Sequence, residues 1–516
     1  MVLILQDILE VDRVYLVLGV ATSVFFLFQL VQSIKKRKYV WQNSCQQPPN
    51  VVSLGPFGLN MVLEMMKATK EHRFLGLLHN WFHVYGATFE AKMPGRRALF
   101  TVEPENIQAM LAHKFDDFDL GENRLTAFRP LLGNGIFSSD GERWSHSRAL
   151  LRPNFARNQI TDIEIYERHV NALIQLIPRD GSTVDLQDLF FRMTLDSATE
   201  FLFGESVQSL QGTAASASSF SKDFYTAQEG LAFRFRMGPL RVFYGGKEFS
   251  QSVANIRNYV GKFVQKSIDA RTALDSDVAS SKVRRLDEQQ YVFLYKLSKE
   301  TLDKTELIDQ LLSILLAGRD TTAGLLSITF FILARRPDIW SKLREQVLNL
   351  NGQKPSFEDL KSMTYLAWVL NETLRLYPSV PFNARTANKD THLPVGGGPD
   401  GKAPVFVPKG QDVMYSPFTM HRSREAFGPD ADEYKPERWG KARPGWSYLP
   451  FNGGPRICIG QQFALTEAGY TMVRILQNFQ AIVDRDEEPF EEALTLTLAS
   501  FNGTKVAMSP VESSGS

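Results

Sequence analysis

The run Phe451-Asn-Gly-Gly-Pro-Arg-Ile-Cys-Ile-Gly460 constrains this chain more than any other stretch. Only two cysteines are present, so Cys458 cannot belong to a multi-thiolate metal site. A single thiolate framed by Phe451, Arg456 and glycines suits axial ligation of a haem iron. Gly454 and Gly460 let the backbone approach a flat cofactor, and nearby amide N–H groups can hydrogen-bond the sulfur and tune its electron donation. The alternative for a lone cysteine is a buried structural thiol, which leaves the residues around it unexplained.

The remaining composition narrows the class. A chain of 516 residues holds one large or two to three ordinary domains. A net charge of +1 gives no basic field for nucleic acid, and 43% hydrophobic residues suit an enzyme with a large core. Two cysteines argue for a reducing compartment rather than a disulfide framework. Cys45 is expected to be a free thiol, with acylation as the alternative.

Val14 to Ile34 is uncharged, and as a helix its 21 residues rise about 30 Å, enough to cross a hydrocarbon core. Asp7, Glu10 and Asp12 precede it and Lys35-Lys-Arg-Lys38 follows, so the positive-inside rule puts the rest of the chain in the cytosol. A cleaved signal peptide has its basic cluster on the other side. The expected layout is a lumenal segment 1–13, a transmembrane anchor 14–34 in the endoplasmic reticulum, a basic and proline hinge 35–50, and a cytosolic catalytic domain 51–516.

Helical patterns dominate from about residue 140 to 380, and strand-like pieces cluster at Ala87 to Val102, Asn383 to Pro408 and the C-terminal tail. The Ala/Ser-rich patch Thr213 to Ser221 reads as a surface loop. No glycine-rich dinucleotide fingerprint follows a strand, so electrons must come from a separate protein. Glu306 to Arg336 reads as one long apolar helix interrupted by Ala317-Gly-Arg-Asp-Thr-Thr322. Small Ala317 and Gly318 leave space for a cofactor and dioxygen. Thr321 can turn its hydroxyl onto the helix backbone, and Asp320 can supply protons for oxygen activation. A kink with an Arg319 salt bridge is the bland alternative.

Two further pairs stand out. Glu372 and Arg375 share a face of the helix Tyr365 to Tyr377, a spacing usually found in solvated surface bridges. Trp144 and Arg148 also share a helix face and could bind one haem propionate through the indole N–H and the guanidinium. His146 between them reads as a surface residue. Arg148, Arg152 and Arg157 form a basic stretch that could receive an acidic redox partner.

From about residue 45 to the C-terminus, these motifs occur in the order seen in the cytochrome P450 family, which the chain resembles. The resemblance implies the cytochrome P450 fold, mainly α with small β-sheets, and haem b held through Cys458. It assigns Trp144, Arg148, Arg456 and Arg385 to the propionates, and Phe451, Gly454, Gly460, Ala317 and Gly318 to cofactor contact. Asp320 and Thr321 become the oxygen-activating pair. Glu372, Arg375 and Arg438 become a structural triad that fixes the segment before the thiolate loop. The implied partners are NADPH–cytochrome P450 reductase, with cytochrome b5 as a second donor, together with dioxygen and a lipophilic substrate.

Arg319 and the Gln461-Gln462 continuation resemble the fungal branch that hydroxylates n-alkanes and fatty acids at the chain end; Asn452 departs from it, where glycine is general. By the same resemblance, loops Leu120 to Phe137, Ser379 to Asn383 and Thr495 to Asn502 should line the substrate channel through Leu125, Phe128, Val380, Phe382, Leu498 and Phe501. Phe233 to Leu240 could dip into the bilayer. Arg124 and Arg129 are candidate carboxylate anchors. The competing readings are a monooxygenase of fungal secondary metabolism, a lipid-hydroperoxide isomerase and a non-enzymatic haem sensor or carrier.

Overall fold

The computed structural model describes residues 2–49, 51–52, 58–93, 96–155, 163–212, 215–238, 241, 246–275 and 293–511. Two stretches of similar apolar character meet different fates. Helix α1, Val2–Gln42, contains the window Leu18–Gln42 with mean hydropathy 1.4 and none of it buried. Within the helix Lys304–Arg335 the most apolar window has mean hydropathy 1.3 and is 83% buried, as in a core helix surrounded by protein.

The segment after the apolar run, expected as a basic and proline hinge, is bonded to the body of the protein. Helix α1 carries on through the basic cluster to Gln42. The Tyr39 hydroxyl meets His392 Nδ1 at 2.9 Å. Gln46 N–H then donates to the Pro404 carbonyl at 2.8 Å, and Gly398 N–H to that of Gln47 at 2.9 Å. The strap therefore docks on the hairpin of strands Thr391–Gly397 and Ala403–Val407. Cys45 is buried within it as a free thiol, which argues against the acylation alternative, and burial pushes its pKa up.

Further along come α2 (Leu59–Lys70), α3 (Phe74–Tyr85), α4 (Glu122–Leu132), α5 (Gly141–Leu151), α6 (Leu186–Phe203), α7 (Ala215–Met237) and α8 (Lys247–Asp275). They are followed by α9 (Lys304–Arg335), α10 (Thr364–Leu376) and α11 (Gln461–Asn478). The main core gathers around α9, with Leu311, Leu315, Leu326 and Phe330 fully buried against side chains of α6, α8 and α11. The largest sheet has six strands, in which Thr88–Met93 and Arg96–Thr101 form a hairpin flanked by Asp412–Tyr415 and Asn383–Ala387. A separate hairpin, Glu492–Leu494 with Leu498–Ser500, reaches back to α9.

Two sequence expectations change here. The stretch Leu120 to Phe137, expected as a loop, contains α4, whose weak apolar pattern and internal Pro130 hide it from periodicity. The Ala/Ser-rich patch expected as a surface loop belongs to α7 from Ala215 onward; Ala is the best helix former, so its composition is compatible with either state. Thr213 and Ala214 lie outside the described residues.

Candidate active site

Between Leu307 and Ala334 every residue of α9 is buried except Ala317, Gly318 and Thr321. Their spacing places all three on one helical face, so α9 presents a single uncovered patch of small and hydroxylated residues. A Cβ built on Gly318 would meet only the Ala198 Cβ, at 3.8 Å. Gly318 thus borders α6 as well as the open patch. The Thr321 hydroxyl donates to the Ala317 carbonyl at 2.7 Å, as the sequence suggested.

Asp320 is turned away from that patch. Its carboxylate is 2% exposed and accepts from Arg319 at 2.8 Å, and the amide of Gln228 on α7 faces it. The salt bridge considered as the bland alternative therefore exists, but it is buried rather than solvated. Arg319 itself lies over the rings of Phe191 and Phe224, 4.9 and 5.5 Å from their centroids. Burial raises the Asp320 pKa above the usual carboxylate range, while Arg319 and Gln228 act in the opposite direction. The carboxylate bonds Arg319 and the hydroxyl bonds Ala317, so the two groups are neighbours in sequence without a bond between them.

The cysteine loop is held from within. Cys458 N–H donates to the Phe451 carbonyl at 2.9 Å. Gly454 has φ +66°, and a Cβ there would lie 1.8 Å from the Leu111 carbonyl oxygen, so only glycine fits. Asn452 has φ +63°, with its side-chain oxygen accepting from the Tyr415 hydroxyl at 3.2 Å. The left-handed conformation explains why Asn can stand where the resembled branch has glycine. The Cys458 sulfur lies deep in the fold yet is not covered by side chains. Burial raises its pKa, opposed by the Gly460 N–H and Arg148.

Arg148 and Trp144 lie on α5, and the Arg148 guanidinium donates to the Ile457 carbonyl at 3.0 Å, next to the cysteine. Arg456 sits 4.4 Å from the Trp144 ring centroid and pairs with Asp140 at 2.6 Å. Arg385, 3% exposed, and Arg124 complete the group. Arg124 donates to Asn383 Oδ1 at 3.0 Å, while its buried Nε has no hydrogen-bond partner among the described residues. Burial and mutual repulsion lower Arg124 to about 10 and Arg456 to about 9. Four guanidiniums, of which Arg456 is paired with the Asp140 carboxylate, form a donor set suited to a group bearing two carboxylates. Together with the uncovered Cys458 sulfur and the patch on α9, these residues fit haem.

Arg124, expected as a substrate anchor, carries no motif that marks it for the cofactor. Its neighbours come from chain segments far apart, so only the tertiary structure reveals it. Arg129 stands on the surface, 3.8 Å from Glu122. Glu467, 2% exposed on α11 beside the hydroxyls of Ser197 and Thr322, was also not singled out by the sequence; burial pushes it up to about 7.

Glu372, Arg375 and Arg438 come together behind the loop. Arg375 grips Glu372 with two bonds of 2.9 Å, and Arg438 Nε reaches Glu372 Oε1 at 2.8 Å. Glu372 and Arg375 are fully buried, unlike the solvated bridge that their spacing usually signals.

The substrate candidates divide. Leu498 is buried, its N–H donates to the Ser379 carbonyl at 3.0 Å, and its own carbonyl would lie 2.5 Å from a Cβ on Gly324 of α9. Ser379 in turn donates to the Thr321 carbonyl at 3.4 Å. Segments 379–383 and 495–502 therefore flank α9 close to its open patch. Leu125 and Phe382 are half-buried and Val380 is 38% exposed. Phe128 is buried edge-on against Phe235, with ring centroids 5.9 Å apart. Phe501 departs from the expectation: it is 51% exposed and stacks on His72, away from the residues that flank α9.

His146 is exposed and bonds Glu306 at 2.8 Å. Phe233 is exposed, while Pro239 and Leu240, the end of the segment expected to dip into the bilayer, lie outside the described residues. Arg152 is exposed, and Arg157 likewise lies outside the described residues.

A mainly helical body with a lone cysteine loop, an arginine cluster and a long distal helix defines the haem-thiolate class. The chain matches the cytochrome P450 family over residues 54–502. It is 47% identical to the cytochrome P450 monooxygenase himC of Aspergillus japonicus over 455 residues, covering 88% of this chain and 81% of that one. It is 43% identical to the cytochrome P450 monooxygenase fsdH of Fusarium heterosporum, covering 94% and 86%, and 42% identical to cytochrome P450 52A13 of Debaryomyces hansenii, covering 95% and 97%. The chain belongs to the cytochrome P450 family and is a monooxygenase. Membership brings a haem-thiolate iron, dioxygen and an external electron donor.

Proposed function

We propose that this monooxygenase hydroxylates the end of a fatty acid or n-alkane chain, with haem b on Cys458, while α1 anchors it in the endoplasmic reticulum membrane. In this arrangement 1–13 is lumenal, 14–34 spans the bilayer, and the body from residue 51 is cytosolic. NADPH–cytochrome P450 reductase supplies electrons, with cytochrome b5 as a second donor. The observation that carries the reading is the single open face of α9, bordered by apolar residues from 379–383 and 495–502.

Haem, when bound, supplies the redox chemistry that splits dioxygen and oxidises the C–H bond. Cys458 donates its sulfur, with the Gly460 N–H and Arg148 stabilising negative charge on it. Trp144, Arg148, Arg385 and Arg456, joined by Arg124, hold the two carboxylates of the cofactor. Asp320, whose pKa burial raises against the pull of Arg319 and Gln228, stands behind the open face as the acid of the relay. Thr321 presents a hydroxyl on that face and orients the water that carries the proton forward. Apolar side chains exclude bulk water and leave the chain end as the part of the substrate that reaches the patch.

Replacing Asp320 by Asn is expected to slow product formation on the order of 100-fold, the usual size of a general-acid contribution. Thr321→Ala should divert reducing equivalents to hydrogen peroxide. Both are checked by measuring NADPH consumed, peroxide released and product formed. Unchanged coupling in Thr321→Ala removes that hydroxyl from proton delivery.

The substrate assignment is tested by titrating the protein with fatty acids from dodecanoic to octadecanoic acid and with matching alkanes. The expected results are a spin-state shift and a terminal alcohol identified by mass spectrometry. Absence of a shift at every chain length overturns it.

A further inference from the structure

We propose that the groove between the cytosolic end of α1 and the 391–407 hairpin binds the phosphate-bearing headgroup of an anionic phospholipid. This rests on the membrane-anchor reading of α1 and adds a binding site to it. The groove is a shallow, open depression of about 610 Å³ lined by Ser33, Lys36, Arg37, Trp41, Ser44 and Phe406, among others. Ser33, Lys36, Arg37 and Trp41 recur at helical spacing, so one face of α1 turns two cations, a hydroxyl and an indole toward the body. Lys35 and Lys38 do not line it.

The far wall is fixed. Tyr39 is bonded to His392 and packs on Phe406 with ring centroids 5.5 Å apart, and Gln46 is bonded to Pro404. The groove therefore does not depend on a loose linker. Among the described residues no carboxylate pairs with Lys36 or Arg37. Asp117 and Asp390 act on Tyr39, behind the groove, but Asp117 is engaged by Lys389 at 2.6 Å and Asp390 accepts from the Lys409 N–H. Lys114, bonded to the His392 carbonyl at 2.9 Å, adds positive charge behind Cys45.

The level in the membrane suits a headgroup. Ile34 ends the apolar run, and Lys36, Arg37 and Trp41 follow within two turns, where headgroup phosphates and interfacial indoles reside. Trp41 is 82% exposed, an unusual state for an indole unless lipid covers it. Cations directly cytosolic of a span attract anionic lipid headgroups. A headgroup seated here would contact both the helix and the body, and so set the tilt of the catalytic domain on the membrane.

The test uses the full chain in vesicles of phosphatidylcholine containing either brominated phosphatidylserine or brominated phosphatidylcholine at equal mole fraction. Quenching of Trp41 is read as the difference from the Trp41→Phe protein. The expected result is a preference for phosphatidylserine of about thirtyfold, the size two cations near a membrane surface supply. It is lost in Lys36→Gln/Arg37→Gln and kept in Lys35→Gln/Lys38→Gln, which removes the same charge outside the groove. Equal loss in both pairs reduces the effect to general surface attraction and overturns the site. Relief of quenching by inorganic phosphate makes free phosphate the ligand and overturns the lipid assignment. Equal quenching by the two lipids overturns the site alone, whereas no quenching by either overturns the anchor reading itself.

Discussion

Cys458→Ser is expected to abolish the thiolate-type absorbance of the reduced carbon monoxide complex and all monooxygenation, while leaving the fold intact. The exchange removes a sulfur and adds almost no strain. The loop's shape comes from the backbone, through the Cys458 N–H bond to Phe451 and the left-handed turns at Asn452 and Gly454. None of these needs the sulfur, so stability should stay within about 0.5 kcal/mol, as for a substitution without a packing defect. A serine hydroxyl is far less acidic than a thiol and does not reproduce the anionic donor that the Gly460 N–H and Arg148 stabilise. Circular dichroism and thermal unfolding would report the unchanged fold, and the difference spectrum the lost ligand. A surviving thiolate-type band in a folded Cys458→Ser protein would falsify the ligand assignment, because Cys45 is buried in the strap below α1.

Much of this site was legible because short motifs carry it. Asp320, Thr321, Glu372, Arg375, Trp144, Arg148 and Cys458 each stand at a spacing that a helix or a tight loop converts directly into geometry. What the spacing does not convey is direction. Asp320 and Thr321 are adjacent, yet one faces Arg319 and Gln228 while the other faces the open patch. Gln228 and Glu467 were not legible as site residues, and Arg124 only as a substrate anchor, since each owes its place in the site to partners on other elements. The fold shows the same division. The long apolar α9 announces itself, but α4 carries a proline and a weak apolar face, and an Ala/Ser-rich segment joins α7 by packing that composition does not encode. Docking of residues 39–49 on a hairpin more than 300 residues away is equally invisible in the local chain.

Arg375→Ala is expected to cost about 3–5 kcal/mol and to prevent stable haem incorporation, the effect of breaking a buried ion pair from one side. The guanidinium is fully buried, and every one of its N–H groups is used. Nε and NH2 bond Glu372, NH1 bonds the carbonyls of His421 and Ala431, and NH2 also bonds that of Glu433. Glu372 further accepts from Arg438, the Lys435 N–H and the Trp439 indole. Truncation at Arg375 leaves that carboxylate with a single cation and strips the His421 and Ala431 carbonyls of their donor, while that of Glu433 keeps Arg438. The damage runs toward the cysteine. His421 Nδ1 bonds the Arg375 carbonyl at 3.1 Å, and Nε2 accepts from the Leu449 N–H at 2.8 Å, two residues before Phe451. Burial lowers His421 to about 3, so it stays neutral and keeps one nitrogen as an acceptor for the loop. Arg375→Lys retains the charge but not the planar fork, so it should fall between wild type and Ala. Thermal unfolding and the haem-to-protein absorbance ratio measure the series. An unchanged unfolding midpoint with full haem content in Arg375→Ala would show that the segment from His421 to Trp439 holds the thiolate loop without this pair.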